Sequence, residues 1–178
     1  MNSSLKEALE ALCHEFAGTD FAPAPLLQMN DPNSAQLCIC VAPELLIAVM
    51  RFLKTDHRCA FEQLTDLTCV DYLNFPDAHD RFGVTYALLS LSREHRLWVK
   101  CFVNDPNPEV PTVTGVWRGA EWLEREVWDL FGVRFAGHPD LRRIMTWEGF
   151  KAHPLRKDYP VTGQGEREDF ETVTTQSA

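Results

Sequence analysis

The sequence predicts an α+β fold: a two-layer domain with helices on one face of a mixed or antiparallel sheet, followed by a long, mostly irregular C-terminal extension. Apolar residues alternate along residues 82–88 and 97–103, as in paired strands. Near the N-terminus and again before Gly132 they recur at helical spacing. After Gly132, glycine and proline residues interrupt both the strand-like alternation and the helical spacing of apolar residues. We therefore expect a globular domain over residues 1–132 and an extended arm over residues 133–178.

Two helices are expected in the first third of the chain. Ser4 and Glu7 match a capping box, and the apolar residues that follow recur at helical spacing until Gly18, which can end the helix. Residues 21–33 contain three prolines and predict a loop. Pro43 then suits the first turn of a second helix with one apolar side. That side comprises Leu46, Val49, Met50 and Leu53.

Four strands are expected to make up the sheet. Residues 37–41 alternate as a strand does. Over residues 61–73 helical and extended patterns overlap, and we favour a strand preceded by a turn. Residues 82–88 and 97–103 alternate clearly, and the polar connection between them is short enough for an antiparallel hairpin. Residues 104–111 hold three prolines and two acids, which predicts a loop before the last helix.

The composition excludes several classes of function. A formal net charge of -9 opposes attraction to phosphate backbones, so nucleic acid is not expected as a partner. The longest apolar run is far shorter than the roughly 20 residues that a spanning helix needs, and the acidic first helix lacks the character of a targeting peptide. Six cysteines occur without a Cys-x-x-Cys pair, which indicates small buried hydrophobes in a reducing cytoplasm.

The helix expected before the arm carries a dense set of charges. Its core-facing stripe comprises Ala120, Leu123, Val127, Leu130 and Phe131. Helical geometry then puts Glu121, Arg125 and Asp129 on the outer face, in water, as an i, i+4 series. Glu124 and Glu126 lie two residues apart, so they point about 200° away from each other. We expect each of these two acids to form salt bridges at an edge of the stripe.

The same charges allow two chemical alternatives. A hydrolase could use Glu124 or Asp129 with His138, but carboxylates that do not converge on one substrate atom would need a third acid. His138 and His153 could form a chance metal pair, although neither lies in a recognised zinc spacing. Each histidine precedes a proline, which favours extended backbone and turn or partner contacts. We therefore predict no catalytic, cofactor-binding or metal-binding residue.

The arm differs from the domain in its charge and aromatic content. Between His138 and Pro160 there are five basic residues and three acids. Arginine and large aromatic side chains are enriched at interface hot spots. We expect this surface to stay uncovered until another polypeptide binds it. The alternatives are a loose, solvated tail and an adaptor for an acidic partner or nucleic acid, and the net charge opposes the adaptor.

Two blocks of sequence resemble the family of the C subunit, or 30 kDa subunit, of proton-pumping NADH:quinone oxidoreductase, respiratory complex I. The first block begins with Glu-Arg-Glu and continues at fixed spacing through acidic, apolar, basic and apolar positions. The residues of this chain that match the pattern are Glu124, Arg125, Glu126, Asp129, Leu130, Phe131, His138, Arg142, Ile144 and Met145. The second block runs from His153 to Pro160, with Ala152 where the family more often has glycine.

The resemblance implies a non-catalytic subunit of the peripheral arm of complex I. It implies that the arm of this chain wraps the D (49 kDa) subunit, near the B and I subunits, on the cytoplasmic side of the membrane. FMN and iron–sulfur clusters are then carried by other subunits, which transfer electrons from NADH to quinone and couple this to proton translocation. An equivalent C-type subunit of a membrane hydrogenase, or of a ferredoxin-linked or coenzyme F420-linked complex, is the alternative.

The residues of the two blocks are the expected interface with the partner subunits. They comprise Glu124, Arg125, Glu126, Asp129, His138, Arg142, Arg143, His153, Pro154, Leu155, Arg156, Lys157, Asp158 and Tyr159.

Overall fold

The computed structural model describes residues 3–19, 37–76 and 78–165. The predicted loop over residues 21–33 and the end of the arm after residue 165 lie outside these ranges. Within them the elements are α1 (Ser3–Glu15), β1 (Cys38–Cys40), α2 (Pro43–Thr55), β2 (Gln63–Asp71), β3 (Phe82–Ser90), β4 (His95–Val103), β5 (Glu109–Pro111), α3 (Ala120–Phe131) and β6 (Arg134–Ala136).

The main sheet has four strands in the order β1-β4-β3-β2. Strand β3 pairs antiparallel with β2 and β4, whereas β1 pairs parallel with β4, so the sheet is mixed. The three helices pack on one side of it. The predicted α+β fold class is confirmed, as are the predicted hairpin and the strand within residues 61–73.

The core lies between the sheet and the helices. The alternating residues of β3 and β4 that face the helices are buried, and they meet the predicted apolar side of α2. Fully burying one such side chain stabilises the fold by about 1.5–3 kcal/mol. Four cysteines are buried as well, as expected for small hydrophobes, and burial raises the pKa of the Cys59, Cys69 and Cys101 thiols to about 12.

The predicted capping box of α1 is wrong. Ser4 lies inside the first turn, where its hydroxyl donates to the Arg93 carbonyl oxygen at 3.2 Å. The Glu7 carboxylate accepts from the Arg93 guanidinium at 2.7 Å. Both side chains therefore fasten α1 to the turn of the β3–β4 hairpin, a contact across 86 or more positions of sequence that no local pattern encodes.

A second, two-stranded sheet was not expected from the sequence. Strands β5 and β6 pair parallel, with Val110 opposite Phe135, inside segments predicted to be a loop and an irregular arm. Three residues are too few to show alternation, and the first strand follows Pro108 and ends at Pro111. Val110, Val133 and Phe135 are buried in the same core as the main sheet. The chain after α3 therefore returns to the domain before it continues as turns and bends over residues 137–165.

Gly132 ends α3, as predicted, and also makes room for the arm. Its φ of 78° is left-handed, and its N–H donates to the Trp128 carbonyl oxygen at 2.8 Å. A Cβ atom on this residue would lie 2.6 Å from the His153 ring and 2.9 Å from the Arg156 guanidinium. Only glycine combines this backbone conformation with this close approach.

No helix in the described ranges is long and apolar enough to cross a membrane.

We expect Gly132→Ala to lower the free energy of unfolding by about 2 kcal/mol, because it adds left-handed strain and pushes against His153 and Arg156. Urea unfolding measures this change. Gly119→Ala is the matched control, since a Cβ there meets nothing within 4 Å and the backbone is right-handed helical. Equal stabilities of the two variants would contradict the proposed role of Gly132.

Candidate functional site

Three charged side chains of α3 are buried. Glu124, Arg125 and Asp129 belong to the interior, although Arg125 and Asp129 were expected on the outer face and Glu124 at a rim. These expectations are wrong because the arm folds back over Arg125 and Asp129, whereas Glu124 is bound by residues 112 and 113 and lies against His138. A buried charge is tolerated only when it is paired and hydrogen-bonded. The partners of these three groups therefore define the site.

The Asp129 carboxylate is the centre of the site. One oxygen accepts from the backbone N–H groups of Ile144, Met145 and Thr146, at 2.9, 2.7 and 2.8 Å. The other accepts from the Thr146 hydroxyl at 2.5 Å and the Arg143 guanidinium at 2.6 Å. Burial disfavours the charged form, but the bonds from Thr146, Ile144 and Arg143 outweigh it and lower the pKa of Asp129 to about 2.

Two arginines fix the same segment from other directions. Arg143 also donates to the Ala152 carbonyl oxygen at 3.1 Å, and its guanidinium lies over the rings of Trp128 and Phe150 at 5.6 Å from each centroid. Arg125 donates to the carbonyl oxygens of residues 142 and 143, at 3.0 and 2.9 Å. Arginine side chains thus hold residues 142–152 of the arm by hydrogen bonds to its backbone carbonyl oxygens. This segment therefore keeps its course without forming a helix or a strand.

The second sequence block caps the C-terminus of α3. The last four carbonyl groups of a helix have no partner within the helix. Here the Gly132 N–H donates to the first of these four, the carbonyl oxygen of 128. The other three, of residues 129, 130 and 131, accept from His153 Nδ1, the Leu155 N–H and Arg156 Nε, at 2.9, 3.0 and 2.6 Å. Burial lowers the pKa of His153. Because a carbonyl oxygen can only accept, Nδ1 is the ring nitrogen that carries the proton in this contact. The guanidinium also suits the negative end of the helix dipole.

The end of the second block is anchored to the main sheet. The Lys157 N–H donates to the buried Asp71 carboxylate at 2.9 Å, and Asp158 pairs with Arg81 at 2.8 Å. Arg81 also pairs with Asp71 at 3.1 Å. Burial opposes ionisation of Asp71, yet the bonds from Arg81 and Lys157 lower its pKa. The block therefore joins α3 to the ends of β2 and β3.

Glu124 and His138 lie together in the interior. The Glu124 carboxylate accepts from the Thr112 hydroxyl at 2.5 Å and the Val113 N–H at 2.7 Å. His138 Nε2 lies 3.9 Å from it and donates to the Glu121 carbonyl oxygen, while His138 Nδ1 accepts from the Asp140 N–H. Burial raises the pKa of Glu124 to about 7. The side chains of Glu124 and His138 are fully covered, so the pair predicted for a hydrolase is closed to any substrate in solution.

The two histidines of the metal alternative are apart. His138 bonds to the carbonyl group of 121 and His153 to that of 129, which are separated by about 12 Å along the helix axis. In the described ranges no group of three or more His, Cys, Asp or Glu side chains is placed to hold a metal ion.

The surface of the site differs from the expected interface. Of the expected residues, Arg142, Leu155, Lys157 and Asp158 are exposed, and Glu126, Pro154 and Tyr159 are partly buried. The largest exposed apolar side chains near α3 include Trp122, which was not among the expected residues. The sequence did contain a signal for this residue, because Trp122 is a large apolar side chain at a helical position outside the apolar stripe of α3.

We expect Glu124→Gln to flatten the pH dependence of stability. The folded-state pKa of Glu124 is above its ordinary value, so the folded chain binds this proton more tightly than the unfolded chain. Wild-type stability should therefore fall, relative to the variant, as the pH rises from about 4.5 to about 7, by roughly 2–3 kcal/mol. Unfolding in urea across this range measures the difference. A constant difference between the two proteins would show that Glu124 does not titrate there.

We expect Asp129→Asn to lower the free energy of unfolding at neutral pH by about 3 kcal/mol, because it leaves Arg143 buried without its counter-charge. It should also make Arg142 and Arg143 readily cleavable by trypsin, since the asparagine side chain has one acceptor oxygen and cannot accept from both segment 144–146 and Arg143. The matched control is Glu126→Gln, the same loss of charge at a partly buried position of α3. If both variants resist trypsin like the wild type, Asp129 does not hold the arm.

Comparison with known proteins identifies the family. The family model "Respiratory-chain NADH dehydrogenase, 30 Kd subunit" matches residues 39–165. NADH-ubiquinone oxidoreductase subunit 9 of Reclinomonas americana is 50% identical over 131 residues, covering 74% of this chain and 62% of the relative. The probable 30.4 kDa subunit of NADH-ubiquinone oxidoreductase from Candida maltosa is 50% identical, covering 74% and 46%. The C subunit of the NADH-quinone oxidoreductase from Jannaschia sp. is 41% identical, covering 93% and 75%. The chain thus spans less than two thirds of the length of the first two relatives.

The fold is also found in solved structures. A trypsin-resistant fragment of Nqo5, residues 1–134 of that protein, matches with a TM-score of 0.60 and 34% identity, covering 78% of this chain and 99% of the fragment. A chain of the archaeal membrane-bound sulfane sulfur reductase matches with a TM-score of 0.66 at 22% identity, which shows a shared fold. These matches confirm the resemblance seen in the two sequence blocks. The chain belongs to the family of the 30 kDa subunit of respiratory-chain NADH dehydrogenase, one of the subunits of complex I.

Proposed function

We propose that this chain is a non-catalytic subunit of the peripheral arm of complex I, which scaffolds that arm by binding the D (49 kDa) subunit. The observation that carries this proposal is an arm fixed by buried polar contacts that still leaves large apolar side chains in water. Fixing a segment before binding lowers the entropy lost in a complex. An exposed apolar surface of this kind is typical of a protein interface.

The interior of the site supports a structural role over a catalytic one. Asp129 uses both carboxylate oxygens on the arm, and Glu124 and His138 are covered. Their chemistry holds the chain together and offers no group to a substrate. The exposed residues of the expected interface, Leu155 and Lys157 among them, remain the predicted contacts with the partner subunits.

In this proposal the chain carries no redox group. FMN and iron–sulfur clusters belong to other subunits, which transfer electrons from NADH to quinone and couple this to proton translocation. The chain lies peripherally on the cytoplasmic side of the membrane, with the B and I subunits near its D partner. The names of its relatives, which are subunits of NADH oxidoreductases, support this assignment.

An equivalent C-type subunit of a related membrane complex is the second candidate. The sulfane sulfur reductase chain shares the fold, and its name marks a complex with a different acceptor. Between the two candidates, the relatives of 41–50% identity favour the NADH-linked enzyme.

We expect the purified chain to show no visible absorption band and no stoichiometric metal, and a tagged chain expressed in its host to co-purify with the D subunit. Absorbance, metal analysis and mass spectrometry of the captured proteins measure these properties. One tightly bound metal per chain, or a capture without any complex I subunit, would contradict the proposal.

A further inference from the structure

Glu124 is a buried acid that lacks a bound cation. Its side chain is fully covered, and in the ranges that the structure describes His138 is the only basic side chain within ion-pair distance, with Nε2 3.9 Å from Oε2. The neighbouring cation on α3, Arg125, donates instead to the carbonyl oxygens of 142 and 143. A carboxyl group in this position either forms an ion pair with a protonated His138 or keeps a proton of its own.

The hydrogen bonds of the His138 ring fix it as a neutral group. Nε2 donates to the Glu121 carbonyl oxygen at 3.0 Å, and Nδ1 accepts from the Asp140 N–H at 3.0 Å. A carbonyl oxygen can only accept and a backbone N–H can only donate, so the single ring proton lies on Nε2. A second proton on Nδ1 would point at the Asp140 N–H and break that bond. His138 is therefore a poor counter-charge for Glu124.

The hydroxyl groups beside Glu124 suit either state of the acid. Thr112 Oγ1 lies 2.5 Å from Glu124 Oε2 and 2.9 Å from Thr114 Oγ1, and it accepts from the Thr114 N–H at 3.2 Å. A hydroxyl group has one proton to donate and two acceptor sites. Thr112 can therefore donate to an ionised Glu124 while it accepts from the Thr114 hydroxyl. With both bonds reversed, it accepts from a protonated Glu124 and donates to Thr114.

The other titratable groups around Glu124 supply no positive charge. Tyr86 of β3 is the group of the main sheet whose ionisation is coupled to Glu124, and burial raises its pKa, so its hydroxyl is neutral. Glu121 and Glu126, the neighbouring acids on α3, are partly exposed. Burial raises the pKa of Glu124 itself to about 7, despite its two hydrogen bonds. Below neutral pH the protonated arrangement is thus the favoured one.

We propose that Glu124 is a carboxylic acid in the folded chain, donates its own proton to Thr112, and acts as a pH-sensitive clamp that holds the end of β5 against α3. Its other oxygen accepts from the Val113 N–H at 2.7 Å, so both bonds are made to the residues that directly follow β5. When the clamp opens, Glu124 meets water, ionises at its ordinary pKa and releases its proton to the solvent. Opening therefore becomes easier as the pH rises from about 4.5 to about 7. This inference does not depend on the identity of any partner subunit.

Hydrogen exchange of the full chain measures this opening at the Val113 N–H. After correction for the intrinsic exchange rate, wild-type protection should fall about tenfold relative to Glu124→Gln between pH about 5 and about 7. The glutamine amide can donate to Thr112 and accept from Val113 as the protonated acid does, but it does not titrate. Glu126→Gln is the matched control, because it removes the same charge from α3 and should follow the wild type. Equal pH dependence in the wild type and Glu124→Gln would overturn the inference.

The position of the proton is measured on the wild type, so this test holds even if Glu124→Gln does not fold. Nitrogen NMR should show a neutral His138 ring protonated on Nε2 between pH about 6 and about 8. Infrared spectroscopy should show the carbonyl band of a buried carboxylic acid below neutral pH, and this band should disappear as the pH rises. A doubly protonated His138 ring in the folded chain, or the absence of the acid band, would show an ion pair and overturn the proposal.

Discussion

The structure depends above all on one buried carboxylate that binds three consecutive backbone N–H groups. Asp129 would be an exposed acid if α3 stood alone, since its position lies opposite the apolar stripe. Removing it from water costs several kcal/mol, and a single partner could not offset that cost. Five donors from residues 143–146 do so, and in return they define where the chain runs after the small sheet. The course of the arm is thus a consequence of satisfying one charge.

The same helix shows how the number of donors decides the state of a buried acid. Glu124 and Asp129 are both fully covered. Glu124 has the Thr112 hydroxyl and the Val113 N–H as donors, and burial prevails, so its pKa rises to about 7. Asp129 has five donors, one of them a guanidinium, and its pKa falls to about 2. Within five residues the helix therefore holds a group that ionises reluctantly and one that stays charged.

Helix α3 and the arm form one structural unit. The arm satisfies the last carbonyl groups of the helix through His153, Leu155 and Arg156, and Gly132 provides the space for their approach. The residues of the two family blocks thus act largely within the chain, where they build and orient a surface. The large apolar side chains that remain exposed near α3 are mostly others, among them Trp122 and Trp147. This division explains why Glu124 and Asp129, the acids that the sequence offered for catalysis, are covered and hydrogen-bonded within the chain.

The sequence by itself determined the fold class, the three helices, the hairpin and the family. Periodicity reports these elements directly, because burial of one face imposes it on each strand of β3 and β4 and on α2. The two blocks of charged and aromatic residues were likewise readable, and they identified the family. Only the tertiary structure decided what those charges do. Asp129 meets residues 143–146 and Lys157 meets Asp71 across 14 to 86 positions, so no local pattern could assign them. The short strands β5 and β6 could not be predicted from the sequence for a similar reason. Three residues are too few to show an alternating pattern, and each strand is defined only by its pairing with the other.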